Sequence, residues 1–178
     1  WNEDNFVWKR LLENQRAPIP YPQLAPELLA VLPDGFITEI CPAATAWWKE
    51  AASIIDSGKL VAIDYGLLAE EFLTPERSHG TARSYFQHRA SSDLLARPGE
   101  QDLTAHVNFS ALQVAGEMTG LQTDALVSQT NFFTEILGKI LSRAEMFGEW
   151  DEKRLKQFKT LTHPQHLGRS FRVLIQSR

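Results

Sequence analysis

Residues 60–66, with the sequence LVAIDYG, constrain the fold of this chain more than any other segment. Four apolar residues follow a Gly-Lys turn and lead directly into an acid, an aromatic residue and a glycine. A short continuous apolar run of this kind is typical of a strand that is buried on both faces of a sheet. Because ligands of open α/β sheets bind beyond the carboxyl ends of the strands, we expect Asp64, Tyr65 and Gly66 to form the edge of a binding site.

Helical and extended patterns alternate around this predicted strand. Apolar residues recur at helical spacing in residues 42–57, directly before it, and again in residues 131–147. The composition of residues 121–128 and 171–176 predicts two further strands. Ser110 and the glutamine three residues later match a capping box at the start of a helix. This alternation predicts an α/β fold.

Two parts of the chain lack a clear periodic pattern. We expect residues 1–178 to form a single domain, or part of one. Within it, residues 1–35 are predicted to be a peripheral segment, and residues 36–178 are predicted to carry the sheet and its helices, beginning with a short strand at residues 36–40. Residues 78–109 carry little periodicity. Because an irregular stretch of this length inside a compact domain is typical of a functional loop or lid, we predict a loop insertion there.

The composition argues against several classes of function. A net charge of −4 leaves no surplus of positive charge for the phosphate backbone of nucleic acids. No apolar run approaches the roughly 20 residues that span a bilayer, so we expect no membrane span. The single cysteine, Cys41, cannot form an internal disulfide, which is typical of a reducing compartment. His163 and His166 are three residues apart, but Pro164 intervenes and no third ligand is near, so no metal site is predicted.

Four segments of the chain together carry a resemblance to a known family. They are residues 60–66 (LVAIDYG), 80–88 (GTARSYFQH), 98–109 (PGEQDLTAHVNF) and 161–168 (LTHPQHLG). In order and approximate spacing they resemble the MidA-type methyltransferases, which are S-adenosylmethionine-dependent enzymes. The closing stretch around Phe171 is also similar, and PGEQDLTAHVNF is the most specific of the motifs.

The resemblance implies a class I, Rossmann-like methyltransferase fold, in which a doubly wound sheet ends with an antiparallel last strand and carries inserted helices. In that frame residues 60–64 are the fifth strand, residues 121–128 the sixth, and residues 171–176 the reversed seventh. The family's glycine-rich loop, which brings the backbone close to the cofactor, has no counterpart in this sequence. The resemblance therefore implies that the chain is the C-terminal half of the domain, and that the missing N-terminal half is a partner needed for cofactor binding.

The family's activity implies methyl transfer from S-adenosyl-L-methionine to an arginine of a protein substrate. Its mitochondrial members are needed to assemble respiratory complex I, so a subunit of that complex is one implied acceptor. Two other functions stay open: a non-catalytic module that binds a partner protein, and a methyltransferase of small molecules. Because nothing in the sequence resembles a transit peptide, we favour a bacterial, cytoplasmic protein over one of the mitochondrial matrix.

Two carboxylates and one histidine are the predicted catalytic residues. Asp64 at the strand end and Asp102 in the most specific motif could each align a guanidinium through paired hydrogen bonds. Each has a structural alternative, which is a local turn or cap bond for Asp64 and backbone bonds within an ordered loop for Asp102. His106 is a candidate base or substrate contact, although a lone histidine between apolar neighbours is more often structural.

Six further residues are predicted to line the crevice. Gly66 would permit close approach of the backbone, and the ring of Tyr65 beside it would form a wall. Gln101 and Thr104 are expected to be hydrogen-bonding neighbours. Arg83 and Tyr85 would hold the predicted loop over the site, with surface packing as their alternative.

Overall fold

A computed structural model describes residues 26–148 and 150–178 of the chain. These residues fall into two compact units. The main-sheet unit consists of residues 43–69 and 107–178, and the small-sheet unit consists of residues 26–42 and 70–106. Most of the predicted peripheral segment, residues 1–25, lies outside the described residues.

Helices and strands are interspersed along the chain, which confirms the α/β prediction. The strands are β1 (Lys59–Leu67), β2 (Arg83–Phe86), β3 (Arg89–Ser91), β4 (Asp102–Thr104), β5 (Val107–Asn108), β6 (Gln122–Ser128) and β7 (Phe171–Ser177). The α-helices are α1 (Pro26–Val31), α2 (Pro42–Ile54), α3 (Ala69–Phe72), α4 (Phe109–Glu117), α5 (Gln129–Leu141), α6 (Ala144–Phe147) and α7 (Glu152–Thr162). A 3₁₀ turn covers Pro75–Arg77.

The sheet of the main-sheet unit has the strand order β5-β1-β7-β6. Strand β7 runs antiparallel to both β1 and β6, whereas the short β5 is parallel to β1. Strands β1 and β6 therefore point the same way, with the reversed strand between them. The strands predicted at residues 60–66, 121–128 and 171–176 are confirmed, and so is the reversed direction of the last one.

The core of the main-sheet unit forms where α2 and α4 pack on one face of the sheet. Trp48 of α2 is buried, and Phe109 of α4 and Leu174 of β7 have no exposed surface. These side chains belong to one apolar cluster, against which Leu60 and Ala62 of β1 pack. The cluster fixes the position of β1, the strand that carries Asp64.

Strand β1 is not buried on both faces, contrary to the prediction. Leu60 and Ala62 face the core, but side chains alternate along a strand. On the other face, Val61, Ile63 and Tyr65 are 49%, 43% and 48% exposed. The continuous apolar run is therefore divided between a packed face and an exposed one.

The N-terminal cap of α4 differs from the predicted capping box. Asn108 is the cap, because its side-chain oxygen accepts a hydrogen bond from the N–H of Ala111 at 3.0 Å. The hydroxyl of Ser110 instead accepts the N–H of Ala69 at 3.0 Å. The sequence pattern misassigned the cap because asparagine and serine both cap helices well, and the helix begins two residues earlier than predicted.

The small-sheet unit contains an antiparallel sheet of order β3-β2-β4, where the sequence predicts a loop insertion. Its strands are only three or four residues long, so no alternating pattern is visible in residues 78–109. Strands β2 and β3 are joined by a turn at Gln87 and His88, whose φ angles are +47° and +64°. The segment is therefore not irregular throughout, since it contains three short strands, and its role as a functional loop or lid stays a prediction.

Two other elements differ from their predicted extents. Residues 36–40 do not form a strand, because Ile37 makes only an isolated bridge with His79. The helix predicted at residues 131–147 is interrupted after Leu141, so α5 and α6 are separate helices. Neither difference changes the strand order of the main sheet.

Candidate functional site

Asp64 lies near the carboxyl end of β1 with its side chain exposed. Its Oδ1 accepts the backbone N–H of Tyr65 at 2.7 Å, which is a local bond of the kind expected in the structural alternative. In register, Asp64 lies opposite Arg172 of β7, and Arg172 lies opposite Ser128 of β6. Because directly paired residues point to the same face, a carboxylate, a guanidinium and a hydroxyl form one row across the sheet. This row makes the carboxyl end of β1 and β6 polar.

Tyr65 points to the opposite face from Asp64. Its ring lies 4.0 Å from the ring of Phe171, measured between centroids, with the two planes inclined by 43°. Nearly half of the residue remains exposed. One part of the ring is therefore fixed by packing, and the rest can contact a ligand, as aromatic rings that line pockets do.

Gly66 is buried, and the space beside its Cα is already filled. A Cβ atom at this position would overlap the ring of Phe109 and lie 2.6 Å from the backbone oxygen of Val107. Here β1 and β5 pair, with Gly66 in register with Val107. The glycine is thus required for the close approach of β5 and α4, whatever else it does at the strand end.

One face of the small sheet gathers four of the predicted site residues. Arg83 pairs with Thr104, and Tyr85 pairs with Asp102, across strands β2 and β4. Paired residues share a face, and residues two apart on one strand do as well. We call this set of four side chains the polar face. Asp102 and Thr104 are exposed, and Tyr85 is 40% exposed.

The other side of the small sheet lines a depression of about 390 Å³. Ser84 and Phe86, which alternate with the polar-face residues on β2, both contribute to its wall. The guanidinium carbon of Arg97 lies 3.9 Å from the centre of the Phe86 ring. Gln101 also lines this depression, and its amide donates a hydrogen bond to the backbone oxygen of Leu94 at 2.8 Å.

His106 is partly buried directly after β4. Its backbone N–H donates a hydrogen bond to the Thr81 hydroxyl oxygen at 3.0 Å. Burial, with the cations Arg77 and Arg83, lowers the pKa of the imidazole below 6.5, although the carboxylate of Glu39 opposes this. The imidazole is therefore mainly neutral at pH 7, and one of its ring nitrogens can accept a proton.

Glu39 is the residue of this region that sequence reasoning missed. Its carboxylate accepts hydrogen bonds from Thr81 and Ala82, and its charge acts on His106. Because 42 positions separate Glu39 from Thr81, no local pattern joins them. Glu39 also falls within residues 36–40, where the sequence predicts a strand.

The nine predicted site residues are divided between the two units. Three belong to the main-sheet unit, at the end of β1, and six belong to the small-sheet unit. Of those six, four form the polar face, while Gln101 lines the depression and His106 lies beside Glu39. Their roles in binding or catalysis stay predictions.

The reversed last strand between its neighbours and the polar strand end are features expected of the methyltransferase fold. Comparison with known families identifies the family. A model of the family described as "Putative S-adenosyl-L-methionine-dependent methyltransferase" matches residues 2–127. The match covers more than half of the chain, and the chain belongs to this family. A comparison with curated proteins found no match.

Two crystal structures of proteins from Burkholderia thailandensis are similar to this chain. One shows a superfamily member and "likely methyl transferase" bound to S-adenosyl-homocysteine; it is 30% identical with a TM-score of 0.70, over 91% of this chain and 43% of that one. The other is a native structure of an uncharacterized protein of the same superfamily, 31% identical with a TM-score of 0.70, over 83% and 40%. This chain thus spans about two fifths of the length of these relatives.

Two further findings concern all of residues 26–148 and 150–178. No helix in these ranges has both the length and the apolar character needed to cross a bilayer. The same ranges contain no group of three or more His, Cys, Asp or Glu side chains placed to hold a metal ion.

Proposed function

We propose that this chain is part of a MidA-type, S-adenosyl-L-methionine-dependent methyltransferase that methylates arginine on a protein substrate. The observation that carries the proposal is the family match over residues 2–127. The relative bound to S-adenosyl-homocysteine adds support, because this compound is what remains of the methyl donor after transfer. The motif at residues 98–109 supports the MidA type and hence the arginine acceptor.

The end of β1 has side chains that suit this cofactor, which supplies a methyl carbon attached to a positively charged sulfur. The exposed carboxylate of Asp64 suits a cationic ligand, and the half-exposed ring of Tyr65 suits a flat purine. Gly66 would act indirectly, by letting β5 and α4 approach the strand end.

Asp102 is the residue that we propose aligns the acceptor arginine. A carboxylate binds a guanidinium through two parallel hydrogen bonds, which fix the plane of the group and the direction of its attacking nitrogen. Thr104 and Tyr85 on the same face can add a hydroxyl bond and an aromatic wall. Arg83 donates to the backbone carbonyls of Gly80 and Ala82, so its guanidinium is held by the chain itself.

His106 is the proposed proton acceptor. A guanidinium is protonated at neutral pH, so it must release a proton when one of its nitrogens is methylated. A neutral imidazole can take this proton, and the lowered pKa of His106 keeps it in that form at pH 7.

Binding and transfer assays test the proposal. S-adenosyl-homocysteine is titrated calorimetrically into the chain and into the product of its whole gene, and methyl transfer to arginine peptides is then measured. Asp102→Asn should lower kcat/KM for the peptide roughly 10- to 100-fold by removing a charge-assisted bond, without weakening cofactor binding. The control Asp34→Asn, at an exposed turn residue of the same unit, should change neither.

The same assays distinguish the competing functions. A subunit of respiratory complex I is the proposed acceptor, and the proposed compartment is the bacterial cytoplasm or the mitochondrial matrix. Methyl transfer to free small molecules alone would contradict a protein substrate. The exposed apolar residues Val61, Ile63 and Tyr65 favour a partner-binding module as the second candidate. If neither protein binds S-adenosyl-homocysteine, that module becomes the better explanation.

A further inference from the structure

The carboxylate of Glu39 is the centre of a hydrogen-bonded turn in the small-sheet unit. Its Oε1 accepts the backbone N–H groups of Thr81 and Ala82, both at 2.7 Å. Its Oε2 accepts the Thr81 hydroxyl at 3.1 Å. Hydrogen bonds to an ionised carboxylate are roughly twice as strong as bonds between neutral groups, so this side chain holds two consecutive residues firmly.

Gly80 shows that the turn is built closely around this carboxylate. Its φ angle is +68°, a conformation that favours glycine. A Cβ atom at Gly80 would overlap Oε1 of Glu39. The backbone thus approaches the carboxylate at a distance that no larger residue at position 80 would permit.

The hydroxyl of Thr81 joins the Glu39 carboxylate to the backbone of His106. A carboxylate can only accept a hydrogen bond and a backbone N–H can only donate one, so the orientation of the hydroxyl is determined. Its proton points to Glu39, and its oxygen accepts the His106 N–H at 3.0 Å. Thr81 is only 7% exposed, so water does not readily replace either bond.

Glu39 also acts on the imidazole of His106 through its charge. Arg77 and Arg83 disfavour the imidazolium, and Glu39 is the anion among the charged groups that act on this imidazole. The same carboxylate therefore influences both the backbone position and the protonation of His106.

We propose that Glu39 is a positioning residue for His106. Its carboxylate holds the turn at residues 80–82, and the hydroxyl of Thr81 in that turn holds the backbone of His106. The inference deepens the proposed function, since it takes His106 as the site residue. Its test uses neither the cofactor nor methyl transfer, so a failed methylation assay and a failed test of Glu39 can be told apart.

Nuclear magnetic resonance on the chain supplies two readouts, the pKa of His106 and the hydrogen-exchange rate of its amide. Glu39→Gln should lower the pKa of His106 further, because it removes the negative charge that favours the imidazolium while keeping the size of the side chain. The control Glu27→Gln removes the same charge from an exposed position on α1 and should leave this pKa unchanged.

Two variants of Thr81 isolate the hydroxyl and still test the inference if Glu39→Gln fails to fold. Thr81→Val should speed exchange of the His106 amide roughly 2- to 12-fold, which corresponds to the loss of one net hydrogen bond. Thr81→Ser keeps the hydroxyl and should restore slow exchange. Exchange in Thr81→Val equal to that of the native chain, or a native His106 pKa in a folded Glu39→Gln variant, would overturn the inference.

Discussion

Replacing Gln176 with methionine should destabilise the main-sheet unit by about 2–3 kcal/mol, because it removes a fully buried hydrogen-bonding side chain. The Oε1 atom of Gln176 accepts the indole N–H of Trp48 at 2.8 Å. Its Nε2 atom donates to the backbone oxygen of Gln113 at 2.9 Å and to the hydroxyl of Thr123 at 3.0 Å. The side chain thus joins α2, α4, β6 and β7.

The magnitude follows from counting which partners would be left unsatisfied. The Thr123 hydroxyl keeps its bond to Glu117, and the Gln113 carbonyl lies in α4, where a helical N–H can pair with it. The Trp48 N–H is left buried without an acceptor, at a cost of about 1–3 kcal/mol. Loss of the two other bonds adds to this, and the more apolar methionine offsets part of it.

Urea denaturation followed by circular dichroism measures the effect. The matched control is Gln122→Met, at an exposed position of β6, which should change the free energy of unfolding by less than about 0.5 kcal/mol. The double variant with Trp48→Phe should be destabilised by clearly less than the sum of the single variants, because the orphaned donor is then absent. A Gln176→Met variant as stable as the control would refute this account of the core.

Three further predictions concern single positions. Gly66→Ala should destabilise the chain by about 1–3 kcal/mol, because the added methyl group overlaps the ring of Phe109. Gly138→Ala, in open space on α5, should stabilise the chain by about 0.5–1 kcal/mol, and the urea midpoints of both variants are measured against that of the native chain. His88→Gly should raise the thermal midpoint, because it relieves a positive φ angle, and an unchanged or lower midpoint would contradict this. The pKa of His106 is lowered by burial and by two arginines, so its neutral form stabilises the folded chain above pH 6.5, and this stabilisation is lost as the pH falls below 6.5. Urea midpoints measured on both sides of pH 6.5 should therefore fall less steeply with decreasing pH in His106→Gln than in the native chain.

The main sheet could be predicted from the sequence because its strands are long and distinctive. The run at residues 60–66 and the apolar β7 segment each predict a strand without help from the rest of the chain. Their pairing is another matter, since periodicity does not state which strands are neighbours. The reversed direction of β7 came from the family resemblance, and the exposed outer face of β1 came from neither source.

The small sheet could not be predicted, because its strands are short and its turn is unusual. Two-residue hairpin turns with positive φ angles normally contain asparagine and glycine, whereas this one contains Gln87 and His88. The bonds of Glu39 reach a turn 42 residues away, so they depend on the folded structure alone. The pairing of Tyr85 with Asp102 is likewise a consequence of register, although both residues lie in the motifs that carry the family resemblance and are site candidates on that ground.

The position of β7 has a consequence for synthesis on the ribosome. Strands β1 and β6 make no sheet contact with each other, because β7 lies between them and supplies a ladder to each. Of the four strands, β7 is the last to be translated, so both of its neighbours must wait with an open edge until it emerges. Gln176 reaches its partners in α2, α4 and β6 at the same moment. Closure of the main sheet is therefore expected to be a late, single event, and the unpaired strand edges can associate with other chains until then.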